Sequence, residues 1–145
     1  MRSAALRTSA RAGNLLAVPM ESHPAVEDLT WLFEVEPRIE FEDLGYPVSA
    51  TTFVTTRGET RVECTIEPYM NSVTVVLDER GDERVRLHLW GIVNEGHVDR
   101  HDGHEALVLS FVADVPFDRL RLELKPIVRL VWESVKPWAP GVSTT

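Results

Sequence analysis

Cys64 is the chain's one cysteine, so no intramolecular disulfide framework can hold the fold together. It sits on the apolar side of a Val62-Cys64-Ile66 alternation, the position of a buried, inert thiol. A nucleophilic cysteine needs an exposed, electropositive setting, and the flanking residues supply none. No apolar stretch approaches the roughly 20 residues of a membrane-spanning helix. P-loop, G-x-G-x-x-G, G-x-S-x-G, H-E-x-x-H and C-x-x-C patterns are all missing, which removes the commonest signatures of nucleotide binding, serine hydrolysis, zinc proteolysis and dithiol chemistry. Positive charge is also short. The net charge of −8 excludes a general nucleic-acid binder, which needs a basic face to displace phosphate counterions, and disfavours adsorption to an anionic membrane. Lysine is nearly missing: of the 15 basic residues only Lys125 and Lys136 are lysine and the other 13 are arginine, a bias that points to a GC-rich bacterial genome. With one cysteine and no export signal, the expected compartment is the cytoplasm.

What the chain does have is a period of two. Val62-Cys64-Ile66, Val73-Val75-Leu77, Val85-Leu87-Leu89, Leu107-Leu109-Phe111 and Leu120-Leu122-Leu124 alternate with mostly polar residues. Successive strand side chains point to opposite faces, so these are half-buried strands sharing one core. Chain length fits a single domain. Arg57-Gly58, Arg80-Gly81 and Asp102-Gly103 mark three hairpin tips, and Asp102-Gly103 suits a two-residue type I′ loop. That turn sets His101 opposite His104, Arg100 opposite Glu105 and Val98 opposite Leu107, pairs of the kind that stabilise antiparallel neighbours. The expected fold is all-β, a single antiparallel sandwich or flattened barrel of eight or nine short strands with little helix.

The expected organisation has four parts. Residues 1–19 carry Arg2, Arg7 and Arg11 and no acid, so removing them takes the net charge to −11; they read as a disordered or mis-started extension, with Met20 as the alternative first residue. Residues 20–27 form a short irregular or helical lead-in. The β domain covers 28–134, with Trp31, Phe33 and Val35 alternating in its first strand. Residues 135–145 form a loose tail rich in proline, carrying Trp138.

Chemistry has one candidate place. His97, Asp99 and His101 share one side of a strand, and the hairpin register brings His104 to that side. Three imidazoles and a carboxylate about 5 Å apart suit zinc or another divalent transition metal. The set faces away from the core, so the plainer expectation is solvated histidines and no cofactor. Asp78, Glu79, Asp82 and Glu83 crowd another tip in an order unlike a calcium loop, and read as a wet acidic turn. Glu34, Glu36, Glu40 and Glu42 form an acidic stripe, while Arg84, Arg86, Arg119, Arg121 and Lys125 form basic ones; cross-strand pairing is their expected use.

The last strand, Ile127–Glu133, is apolar on both sides, and Trp90 and Ile92 fall outside the inward set unless Gly91 resets the register. Ile127, Val131, Trp90 and Ile92 are therefore the expected interface, for a protein partner or a second copy of the chain. The favoured function is a non-enzymatic binding or protein-interaction module. The alternatives are a zinc protein or metal-dependent enzyme on the 97–104 hairpin, and a small-molecule carrier, for which 8% aromatics offer little support.

Overall fold

The computed structural model describes residues 6–11, as backbone, and 18–134. Its elements are strands β1 (Leu6–Arg11), β2 (Arg38–Ile39), β3 (Thr51–Arg57), β4 (Thr60–Glu67), β5 (Ser72–Glu79), β6 (Asp82–Trp90), β7 (Val93–His101), β8 (His104–Phe111), β9 (Arg119–Lys125) and β10 (Arg129–Glu133), with one α-helix, α1 (Val26–Phe33). The strands form two sheets, ordered β1-β6-β5-β4-β3-β2 and β10-β9-β8-β7. Apart from the parallel β1–β6 pair, every neighbour is antiparallel, so the expected all-β sandwich is what the chain builds.

The alternating residues do what their period requires. Val62, Cys64, Ile66, Val73, Val75, Leu87 and Leu89 from one sheet meet Leu107, Leu109, Leu120, Leu122 and Leu124 from the other, all buried. This side-chain filling counts against the carrier reading, which needs a hollow between the sheets. Both residues of the Asp102-Gly103 turn take positive φ, 50° and 79°, as a type I′ loop demands, and the register is the expected one: His101 faces His104, Arg100 faces Glu105 and Val98 faces Leu107.

The strand expected from Leu29 onward is instead helix. Leu29, Leu32 and Phe33 stand at i, i+3 and i+4, and all three are fully buried, whereas Trp31 of the competing alternation is 40% exposed. Both periods fit so short an apolar stretch, and packing decided between them. The acids Glu27 and Asp28 in the first turn suit its dipole. Glu34 ends it in the left-handed region, φ 60°, donating its N–H to the Thr30 carbonyl at 2.8 Å. Helix α1 packs on β3, β7 and β8 and so joins the two sheets, with Phe33 stacked on Phe53 at 5.0 Å. No helix among the described residues is long and apolar enough to cross a membrane.

Two other expectations change. Residues 6–11, placed in a disordered extension, run parallel to β6, Leu6 beside Val85 through Arg11 beside Trp90. Edge pairing is made by backbone groups, so side-chain composition gave no sign of it. The last strand starts at Arg129, and Ile127 lies in the loop before it. The tail, 135–145, lies outside the described residues.

Arg57 fastens the helix to both sheets. Its guanidinium donates to the Leu32 and Phe33 carbonyls at 3.1 and 3.3 Å and to the Leu124 carbonyl at 3.4 Å, and it pairs with Glu34 at 3.2 Å. Helix C-termini leave carbonyls without intrahelical partners, and this side chain meets two of them. Arg57→Ala should lower unfolding free energy by about 1–3 kcal/mol, measured as a shift in urea midpoint at constant slope. A shift equivalent to less than about 0.5 kcal/mol would show that water serves those carbonyls as well.

Candidate functional site

The 97–104 hairpin places its side chains as the register required but does not gather them around an ion. His101 and His104 stack with ring centroids 5.7 Å apart, and His101 Nδ1 lies 2.9 Å from Asp99 Oδ2. That same oxygen accepts from Arg121 of β9 at 3.0 Å, and His97 stays exposed, facing Val108 across the register. Among the described residues no three His, Cys, Asp or Glu side chains are grouped to hold a metal. Strand order was not legible, so the arginine that the neighbouring β9 brings to Asp99 could not be foreseen.

Arg121 belongs to a charge ladder over the outer face of the four-stranded sheet. Asp99 opposes Ala106, which opposes Glu123, which opposes Arg129. Because Ala106 and Val108 are short, side chains of β7 and β9 meet above β8. Arg121 reaches Asp99 and, at 3.5 Å, Glu123; Arg129 donates to Glu123 at 2.9 Å. The ladder leaves Ala106 and Val108 buried beneath it and Glu123 itself only 4% exposed. Arg129's hydrogen bond, opposed by burial and reinforced by Arg121, holds the Glu123 carboxyl below its ordinary range. Asp99 is likewise low: burial pushes it up, but Arg121 and then His101 outweigh that. The other basic stripes also pair, Arg86 with Glu83, Arg84 with Glu79 and Arg119 with Glu133. Cys64 is buried, its thiol pushed up to about 12 by burial and secondarily by Glu63, so it is no nucleophile.

Of the four residues expected at an interface, Ile127 is exposed, Trp90 is exposed with its edge against His88 at 4.5 Å, and Val131 is half-buried beside Arg121. Ile92 is a correction. Gly91, at φ 68°, turns the chain between the sheets and delivers Ile92 to the core, 3% exposed. The reset that Gly91 was able to make is the one it makes.

A further group of exposed apolar residues lies elsewhere, at the end of the sandwich opposite the hairpin tips. There Phe41, Leu44 and Val48 stand on the 40–50 loop, Tyr69 and Met70 on a short 3-10 turn, Pro68–Met70, and Val18 beside them. Four of these, Val18, Phe41, Leu44 and Met70, are more than 55% exposed. Backbone contacts make them neighbours: Tyr69 N–H donates to the Pro47 carbonyl at 3.4 Å, and Met20 N–H to the Pro68 carbonyl at 3.0 Å. The loop is ordered by its own bonds. Phe41 N–H donates to the buried Ser49 Oγ at 2.8 Å, the Leu44 and Gly45 amides to the Phe41 carbonyl, and the Tyr46 hydroxyl to the Pro24 carbonyl. The sequence raises no expectation of a surface here. The available signal was three large apolar residues among acids in a stretch with neither helical nor strand period.

No family model and no curated protein matches the chain. Among solved structures, the fold is similar to a chain of a contact-dependent growth inhibition toxin–immunity protein complex from Klebsiella pneumoniae 342, with a TM-score of 0.69 and 12% identity over 81% of this chain and 100% of that one. The likeness is one of fold.

Glu123 makes the outer-face ladder testable. A carboxyl whose folded pKa lies below its unfolded value stabilises fully above the ordinary glutamate pKa of about 4.3 and loses that contribution as pH falls through the folded value. Glu123→Gln should therefore cost about 2 kcal/mol at neutral pH, with the gap to the native chain narrowing as pH drops below about 4. Urea midpoints at both pH values check this, and a gap independent of pH would show the ladder is not electrostatic.

Proposed function

We propose that the chain is a non-enzymatic protein-interaction module of the immunity type, a small sandwich that binds a folded toxin domain and holds it inactive. One observation carries the reading: a group of large, exposed apolar side chains stands on neighbouring loops whose backbone is already hydrogen-bonded in place. Soluble proteins keep such surfaces mainly where something covers them, and rigid loops lose little conformational freedom when it does. The fold likeness supports the same reading, since the similar chain comes from a structure in which a toxin and an immunity protein are together.

The chemistry of the described residues favours binding over catalysis. Asp99, the carboxylate beside the histidines on their face of the hairpin, is engaged by Arg121, and the hairpin lies on an outer sheet face.

The test is co-production with a candidate toxin domain encoded beside this chain's gene. The expected results are restored growth of a host that the toxin alone arrests, and a stoichiometric complex by light scattering. Continued arrest, with both proteins soluble and eluting as separate monomers, would overturn the proposal.

A further inference from the structure

Resting on that reading, we propose that the partner docks a basic surface, with apolar side chains at its centre, on the end of the sandwich formed by Phe41, Leu44, Val48, Tyr69 and Met70. The apolar residues mark the place, and charge decides the occupant. Many carboxylates on the sheet faces are held in ion pairs, among them Glu123 and Asp99 in the ladder, Glu63 and Asp78 with Arg61, Glu59 with Arg80, and Glu34 with Arg57 and Lys125. Around the apolar end they are not. Among the described residues Glu40, Glu42, Asp43 and Glu67 form no ion pair, although Glu40, Glu42 and Asp43 are exposed and able to take one. Between positions 34 and 48 five acids face a single base, Arg38.

Two of these acids crowd each other. Burial and then Glu40 raise the carboxyl of Glu67, so the rim carries like charges, and among the described residues none of these acids has an ion-pair partner. A second copy of the chain would bring the same acids to the same surface and add to the repulsion. A partner with arginines or lysines around an apolar centre would remove it. This is the usual anatomy of a protein interface, an apolar middle with a polar rim, with the sign of the rim fixed by the residues present.

The experiment uses the full chain and the toxin domain that complexes with it, with affinity measured at about 0.05 M and about 0.5 M salt. Tyr69→Ala, on an exposed turn where folding is not at stake, should weaken binding roughly tenfold or more. The double variant Glu40→Gln, Glu67→Gln should weaken it roughly tenfold at low salt and flatten the salt dependence, since it removes rim charge and leaves the apolar centre. Arg86→Ala, on the outer face of the six-stranded sheet, should stay within about twofold of the native chain. Circular dichroism of each variant confirms the fold. If the two end variants bind like the native chain, or Arg86→Ala alone disrupts the complex, partner recognition lies elsewhere and the proposal fails while the immunity reading stands. If the native chain dimerises alone and Tyr69→Ala abolishes the dimer, the occupant is a second copy and the proposal also fails. If no complex forms with any variant, the functional reading falls and takes this one with it.

Discussion

The end of the molecule that carries the exposed apolar residues is held together by one buried amide. Asn71 takes the left-handed conformation, φ 50°, at the exit of the Pro68–Met70 turn, where asparagine is among the few side chains that fit without strain. From there Nδ2 donates to the carbonyls of Val18 and Val93, both at 2.8 Å, while Oδ1 accepts the Val93 amide at 3.2 Å. The Asn71 carbonyl accepts the Gly91 amide at 2.7 Å. Three separate pieces of chain, the lead-in to the helix, the turn after β4 and the crossing between sheets, thus converge on a residue only 2% exposed. An apolar side chain here would strand several buried backbone groups, each costing about 1–3 kcal/mol. Without this knot neither Val18 nor Met70 has a fixed place beside Tyr69.

The two ends of the charge distribution serve different purposes. Over the four-stranded sheet, alternating signs run from Asp99 through Arg121 and Glu123 to Arg129, and the ladder seals Ala106 and Val108 from water. Such a face satisfies itself and has little left to offer a partner. Around the 40–50 loop the acids are unpaired and border apolar side chains. A net charge of −8 shared evenly over a surface would speak only of solubility; unpaired acids beside an apolar group are what the proposed docking surface rests on.

The sheets were largely legible in the sequence because each depends on a local rule. Alternation marked the inward set, and Asp102-Gly103 set a register that the cross-strand pairs corroborated. Helix α1 was not legible because Leu29, Leu32 and Phe33 sit in a segment short enough to satisfy two periods, and only the gap between β3 and β7 decides for the helix. Neither was the fate of Asp99, which depends on β9 lying next to β8, a neighbour that no local rule supplies. The apolar end escaped for another reason. Period-based reading finds side chains that face a core, and Phe41, Leu44, Tyr69 and Met70 face none. Residues that break the pattern without being turn formers are where a surface function leaves its trace.

That trace also bears on how a partner would be caught. Long-range attraction between an acidic rim and a basic partner raises the rate of encounter, and salt weakens it beyond a Debye length of about 8 Å. The apolar centre acts only on contact, by losing water, and so governs how long the complex lasts. The order of the 40–50 loop matters to both. Its two successive turns, closed on the carbonyls of Phe41 and Gly45 and pinned by Ser49, fix the acids relative to the apolar side chains before any partner arrives. A loop that had to order on binding would lose about 1–2 kcal/mol per residue to conformational entropy. In the proposed binding role, a loop ordered on folding would already have met that cost before a partner arrived.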